Sequence, residues 1–347
     1  MKKKIILFCG HMSPYGLAHL EPILKTSFNV KAIVIATKNC WSAFSESLSG
    51  KVYYSQDKIF SLNNNAYYFL MKLYKYFRKQ SHEPLKQVND FSKHFNVPLS
   101  VVEDINQNEF IEKLKQKNID YFLSAAYPQI FQKRLLNVPQ NGCINFHPSL
   151  LPKFRGAHPH FWAIAKGEKE SGITAHFMNE KIDAGPIIAQ LNFPIKNLTY
   201  TNLYNELIKK TPDLISLVEV FINSGNQLPI LQDEKIASYF RNDRDIHKRI
   251  FWTIMTAWEI HNLCRTERAF CFCRGKKINI FDTYVSENNR NLTNDVKVEP
   301  GTIIDIHRDG VAVKTKEKIL NFRKFKSGNK IFRKNKINNF MIGEKLD

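Results

Sequence analysis

The sequence predicts an α/β fold, a Rossmann-like and mostly parallel sheet with helices on both faces, followed by a smaller C-terminal β-barrel-like (OB-like) domain. Three observations carry that expectation. The first half alternates short apolar runs with amphipathic stretches, the pattern of β-α-β units. Beyond about residue 240 the character changes to short alternating runs separated by Gly, Asn and Asp, as in a small barrel or meander. And 347 residues with 43% apolar content are enough to build two cores.

Taken in order, Lys4–Cys9 and Val30–Ala36 read as buried strands with Leu17–Lys25 as the helix between them. A short strand is expected at Leu99–Val102 after Pro98, then a helix at Asn108–Gln116, then strands at Asp120–Ala125 and Cys143–Phe146. Between the second and third strands, about residues 59–95 carry helical periodicity and read as an insertion. Thr201–Val220 is a long helical pattern closing a first domain of residues 1–225, and Asn223-Ser224-Gly225-Asn226 breaks it. Residues 226–240 read as a linker and 241–347 as the second, β-rich domain with a basic tail. There Ile250–Cys264 has a helix period, and Lys277–Phe281, Gly301–Ile306, Val311–Val313 and Ile319–Phe322 read as strands.

Several function classes drop out. The N-terminal apolar run Ile5–Cys9 is too short for a signal peptide, and no apolar run approaches the roughly 20 residues that cross a bilayer. A cytoplasmic protein with reduced cysteines and no membrane partner is therefore expected, and its six cysteines form no Cys-x-x-Cys pair. After the first strand, Cys9-Gly10-His11-Met12-Ser13-Pro14-Tyr15-Gly16 lacks the G-x-G-x-x-G spacing that cradles a pyrophosphate, so no NAD is expected. The net charge of +19 favours anionic partners. It is concentrated near the C-terminus in Arg323, Lys324, Lys326, Lys330, Arg333, Lys334 and Lys336, yet a Lys-rich composition throughout also spreads charge over solvated faces. The sequence carries no signal for an oligomeric state.

The chemistry is concentrated in Asn145 and His147, followed by Pro148-Ser149-Leu150-Leu151-Pro152 and, well downstream, by Asp183 in Lys181-Ile182-Asp183-Ala184-Gly185. An amide, an imidazole and a carboxylate can hold a carbonyl, stabilise the oxyanion it becomes and move a proton, which is the equipment of acyl transfer. Placement supports this, because ligands bind at the carboxyl ends of strands in open α/β sheets and Asn145 and His147 close one.

The run Asn145–Ala157, with Gly172-Ile173-Thr174 and Ile182-Asp183-Ala184-Gly185, closely resembles the folate-dependent formyltransferase family. Ala237-Ser238-Tyr239-Phe240, Ile250-Phe251-Trp252, Gly275-Lys276-Lys277-Ile278 and Pro300-Gly301-Thr302-Ile303 look like that family's C-terminal β-domain. The resemblance implies an enzyme moving the formyl group of 10-formyltetrahydrofolate to a primary amine by direct attack, with no covalent acyl-enzyme and no metal. His158, His160, His147 and His176 accordingly are not expected to bind zinc. Asn145 would donate to the formyl oxygen, His147 would stabilise the developing charge, and Asp183 would hold the imidazole protonated near neutrality and take up the amine's proton. By position, the folate slot would involve Ala125, Ala126, Tyr127, Ile130, Lys181 and Ile182, although Tyr127-Pro128-Gln129 replaces the Tyr-Gly step of many relatives. Ser149, Arg155 and Thr174 would lie near the substrates.

Two acceptors compete. The tRNA enzymes of this family usually carry a basic Gly-rich loop after the second strand, whereas Thr37–Glu46 holds one basic residue. That stretch, with Thr174–Met178 and Asp183–Gln190, favours a nucleotide-linked amino sugar, with methionyl-tRNA as the alternative. A 10-formyltetrahydrofolate hydrolase and an inactive binding protein are the readings from other classes. The dedicated hydrolases resembling this family carry an N-terminal regulatory domain, and this sequence opens on its first strand.

Overall fold

The computed structural model describes residues 2–37, 83–286, 298–307, 310–327, 330–333 and 340–347. The periodicity expected from 59 to 82, most of the stretch Thr37–Glu46, Cys40, Lys334 and Lys336 lie outside them. The chain divides into two compact units. One comprises Met1–Pro159, Ser171–Phe193 and Tyr204–Asn242; the other comprises His160–Glu170, Pro194–Leu203 and Asp243–Asp347.

The first unit is built on β1 (Lys4–Cys9), β2 (Asn29–Ala36), β3 (Leu99–Val102), β4 (Tyr121–Ala125), β5 (Cys143–His147), β6 (Arg155–Gly156), β7 (Glu170–Phe177), β8 (Ile187–Pro194) and β9 (Tyr239–Phe240). Seven of these form one sheet in the order β3-β2-β1-β4-β5-β7-β8, and β6 pairs with β9 in a small parallel ribbon. From β3 to β5 the pairing is parallel; β7 runs antiparallel to β5. Ile5 to Cys9 are completely buried, as an unbroken apolar run requires of a strand with both neighbours parallel. Around Phe8 the rings of Phe122, Tyr127 and Phe131 pack edge-on at 4.8–5.5 Å, closing a core that also holds Ile6, Val34, Ile111 and Leu135.

The helix expected over Leu17–Lys25 is two short ones, Pro14–Leu17 and Leu20–Leu24. Ser13 starts the first by accepting the Gly16 N–H, and Pro14 supplies a preset first turn. The step between them buries His19 completely, against the rings of Tyr15 and Phe146 at 4.6 and 4.7 Å, with its Nδ1–H donated to the Tyr15 carbonyl at 2.7 Å. Burial pushes the His19 pKa down from 6.5 to about 4, the Tyr15 hydrogen bond opposing this only in part. A base whose folded pKa is depressed gives stability present above its unfolded value and lost as pH falls towards the folded one. His19 is thus expected to cost about 2 kcal/mol of stability between pH 6.5 and pH 5. Denaturant unfolding at the two pH values should show a smaller difference for His19→Gln than for the wild type; an equal difference would mean that His19 titrates alike in both states.

Asn108–Lys115 forms a helix as its spacing predicts, with Ile111 and Leu114 buried and the ion pair Glu109–Lys113 outside. The part of the expected 59–95 insertion that is described contains the helix Glu83–His94. Tyr200–Ser224 is the long helix foreseen at Thr201–Val220.

In the second unit an antiparallel sheet runs β10 (Phe270–Cys273), β11 (Lys276–Ser286), β14 (Ile319–Ser327), β13 (Gly310–Lys314), β12 (Ile303–His307), with β15 (Lys330–Arg333) on β14. The helix expected from Ile250 begins only at Ala257. Thr256 stops it earlier: its side chain accepts the Glu259 N–H while Glu259 returns a bond to the Thr256 N–H, a reciprocal cap that fixes where the helix starts. No helix among the described residues is long and apolar enough to cross a membrane.

Candidate functional site

Asn145 and His147 are alternate residues of β5 and therefore share a face of the sheet. Antiparallel pairing places His176 of β7 opposite Asn145, and Thr174 opposite His147, so a second imidazole joins the same face. Asp183 lies in the turn between β7 and β8 in the left-handed backbone region, with φ at 53°. Two residues later Gly185 presses against the last residue of β7: a Cβ there would lie 1.9 Å from the Phe177 carbonyl oxygen. That approach, open only to glycine, brings the turn back over the strand ends.

One carboxylate then meets four groups. Asp183 Oδ2 accepts the Gly156 N–H at 2.8 Å and lies 3.5 Å from His147 Nδ1. Its Oδ1 lies 3.5 Å from both Asn145 Nδ2 and His176 Nε2. Burial works to raise the Asp183 pKa, but the two imidazoles and the Gly156 N–H outweigh it and hold the carboxyl below the usual carboxylate range.

The ring nitrogens can be assigned from their partners. His147 Nε2 is 2.9 Å from the Phe154 carbonyl, which only accepts, so Nε2 carries the proton. Burial lowers the His147 pKa below 6.5, Asp183 and the Phe154 hydrogen bond compensating only in part. The expectation that the carboxylate keeps this imidazole protonated near neutrality is thus corrected: desolvation wins. In the neutral ring the bare Nδ1 faces a carboxylate oxygen, a pair that lacks one proton. His176 donates from Nδ1 to the Phe177 carbonyl at 2.8 Å, leaving Nε2 to accept from Asn145 Nδ2 at 3.2 Å. One N–H of Asn145 is fixed this way, and the other has only the long approach to Asp183. His147 and His176 are buried, whereas Asn145 is partly exposed and can meet a ligand.

The loop after β5 is held from within. Ser149 is fully buried and donates to the Lys153 carbonyl; Thr174, equally buried, donates to the Ser149 carbonyl and accepts from Leu151 N and Gln190 Nε2. Arg155 commits its guanidinium to Gln232 and Glu234. Each of these three side chains, expected near the substrates, finds its partners inside the protein and helps to shape the loop. Of the expected folate-slot residues, Ala125 ends β4 and takes the Gly10 N–H on its carbonyl, and the Tyr127 ring packs in the core. Ala126 has a φ of 50°. Ile130 and Ile182 are exposed apolar side chains on two loops that the Lys133–Glu180 ion pair joins at 2.9 Å, beside the exposed Lys181. Among the described residues no group of three or more His, Cys, Asp or Glu is arranged to hold a metal.

Sequence reasoning missed His176 as a partner of Asn145, and missed Gln232 altogether. The first was readable, since Thr174 and His176 alternate on one face of a strand. The second bonds across a long sequence separation and leaves no local signal.

The family model described as "Formyl transferase" matches residues 75–219, and "Formyl transferase, C-terminal domain" matches residues 245–343. Methionyl-tRNA formyltransferase of Clostridium beijerinckii is 34% identical over 248 residues, spanning 70% of this chain and 78% of that enzyme. The chain belongs to the formyltransferase family. Among solved structures, this formyltransferase is similar in fold to an N-formyltransferase from Helicobacter canadensis solved with folinic acid and dTDP-3-aminofucose. The TM-score is 0.57 at 22% identity, over 93% of this chain and 99% of that one. A sugar 3N-formyl transferase solved with dTDP and 5-N-formyl-THF gives 0.56 at 18%, over 95% and 99%.

Proposed function

We propose that this formyltransferase moves the formyl group of 10-formyltetrahydrofolate to the amino group of methionyl-tRNA, in the cytoplasm. The observation that carries the acceptor is the sequence likeness to methionyl-tRNA formyltransferases, which extends over 78% of the C. beijerinckii enzyme. It shifts the balance away from the nucleotide-linked amino sugar that the motifs favour. The likeness to sugar enzymes is one of fold at 22% identity or less. The net charge of +19 suits a polyanionic acceptor, and the described cysteines, all buried and free, suit a reducing compartment.

The donor set fits the chemistry. Asn145 offers its second N–H to the formyl oxygen, where charge develops as the amine attacks, with His176 orienting the amide. The proton that the amine loses goes to His147 Nδ1, converting two facing acceptors 3.5 Å apart into an imidazolium–carboxylate pair. The folate ring would lie against the exposed Ile130 and Ile182 and the backbone around Ala125 and Ala126, with Tyr127 supporting that backbone from the core and Lys181 beside it.

The deciding experiment supplies 10-formyltetrahydrofolate with charged initiator tRNA or with nucleotide-linked amino sugars. Formylated methionyl-tRNA is expected. A formylated sugar alone would overturn the acceptor, and formate release without an acceptor would indicate a hydrolase. No turnover would leave an inactive binding protein. On the described part of the basic stretch, Arg323 is exposed and sits over the Tyr284 ring at 4.5 Å. Neutralising Arg323, Lys324 and Lys326 is expected to weaken tRNA binding and to lower its salt slope by about one for each phosphate no longer neutralised. An unchanged slope in filter binding would count against a nucleic-acid surface there.

A further inference from the structure

We propose that Gln232, locked in orientation by Arg155, is a positioning residue that sets the Asp183 carboxylate against His147. The inference rests on the proposed role of Asp183 in proton transfer. Gln232 lies in the segment read as a linker and outside both stretches matched by the family models.

The turn that carries Asp183 starts at a disadvantage, because a non-glycine residue sits at positive φ. Gln232 grips its backbone at that residue and again two residues later: Nε2 donates to the Asp183 carbonyl at 2.8 Å and to the Gly185 carbonyl at 2.6 Å. A primary amide has two N–H groups, and both are engaged here. Its oxygen accepts two bonds from Arg155, from Nε at 3.1 Å and from Nη2 at 2.9 Å. Guanidinium only donates, so a flipped amide would set N–H against N–H; Arg155 dictates which end of Gln232 faces the turn. Arg155 is itself buried, and Glu234 meets it with two further bonds at 3.0 and 2.8 Å.

The adjoining residue completes the grip. Gly156 donates its N–H to Asp183 Oδ2, so the two-residue strand β6 reaches the turn twice, directly at the carboxylate and through Gln232 at the carbonyls. β6 is held in turn by β9, with Arg155 N bonded to the Ser238 carbonyl and Ala157 N to the Phe240 carbonyl.

The test uses the full chain with Gln232→Glu, which keeps the length and the acceptor for Arg155 but loses both donors. Gln232→Met serves the same purpose without a charge should the Glu variant not fold. Turnover is expected to fall roughly 10- to 100-fold through misplacement of the carboxylate, with KM for the folate within about twofold of the wild type. The readout that a merely structural role would not move is the titration of His147 by imidazole NMR. The groups facing that ring are Asp183, His176 and the Phe154 carbonyl, and loss of the carboxylate should move its pKa further down. Arg155→Lys, which keeps the charge but not the fork, is expected to reproduce part of both effects. The NMR arm needs no acceptor, so it decides the proposal even if the wild type formylates none of those tried. A folded Gln232 variant with an unmoved His147 titration would overturn it, whatever happens to the rate.

Discussion

Asp183→Asn is expected to lower turnover by roughly 10²- to 10³-fold while leaving the protein as stable as the wild type or more so. The amide is isosteric and can still accept the Gly156 N–H. Its other end, however, becomes a donor in the place of Oδ1, 3.5 Å from His176 Nε2 and Asn145 Nδ2 in the wild type, and the oxygen left facing His147 Nδ1 carries no charge. His147 Nδ1 then lacks the carboxylate that would balance an added proton. Stability gains from removing a buried charge, and catalysis loses the carboxylate that stabilises the imidazolium. His147→Ala should match the loss of rate, and the double variant should cost little more than either single one, because the two groups act as a unit. Steady-state kinetics beside thermal unfolding checks this; near-wild-type turnover in either single variant would remove the pair from the reaction. The pH profile follows from the same pair. His147 must be neutral to accept a proton, and burial holds its pKa below 6.5. Turnover should therefore stay level through neutrality and fall only as pH drops through a value below 6.5, and an acid limb at 7 or higher would contradict the assignment.

Gly185→Ala is expected to be the most damaging single methyl in the first unit. The added carbon would lie 1.9 Å from the Phe177 carbonyl oxygen, a backbone atom of β7 that cannot swing aside. Either the turn lifts by more than about 1 Å or the β7 end distorts. A displacement of that size at a reacting group costs about 100-fold in rate, and here it would separate Asp183 from Asn145, His147 and His176 together. Turnover and the melting temperature should both fall, in contrast to Asp183→Asn. Wild-type rates in Gly185→Ala would show that the turn can reach the site by another path.

The contrast between what the sequence reveals and what it conceals follows the range of the interactions. Strands such as Lys4–Cys9 and Tyr121–Ala125 are legible because burial writes itself into consecutive residues, and Asn145 and His147 because alternation on a strand puts them on one face. The Ile250–Thr256 segment deceives for the opposite reason: its apolar spacing is helical, but the Thr256 cap sets the boundary with two local hydrogen bonds. Ser149, Thr174 and Arg155 look like substrate-binding groups when read as polar residues beside a motif. Their bonds to Lys153 nearby and to Gln190, Gln232 and Glu234 further along show that they also frame the loop. The charge state of His147 is hidden for a further reason. It depends on the balance between desolvation and a single carboxylate, and a sequence names the carboxylate without giving the depth of burial.

The carboxylate at the centre of the site also fixes the sign of the local field. Beside a neutral His147, Asp183 places an ionised carboxylate inside a chain whose overall charge is +19. The methionyl-tRNA acceptor proposed above, with phosphates along most of its length and an amine at one end, would be drawn by the overall positive charge while its amine meets a carboxylate. Charge would then distinguish the two ends of such an acceptor before any shape is read, and higher salt would weaken the long-range attraction well before the buried one.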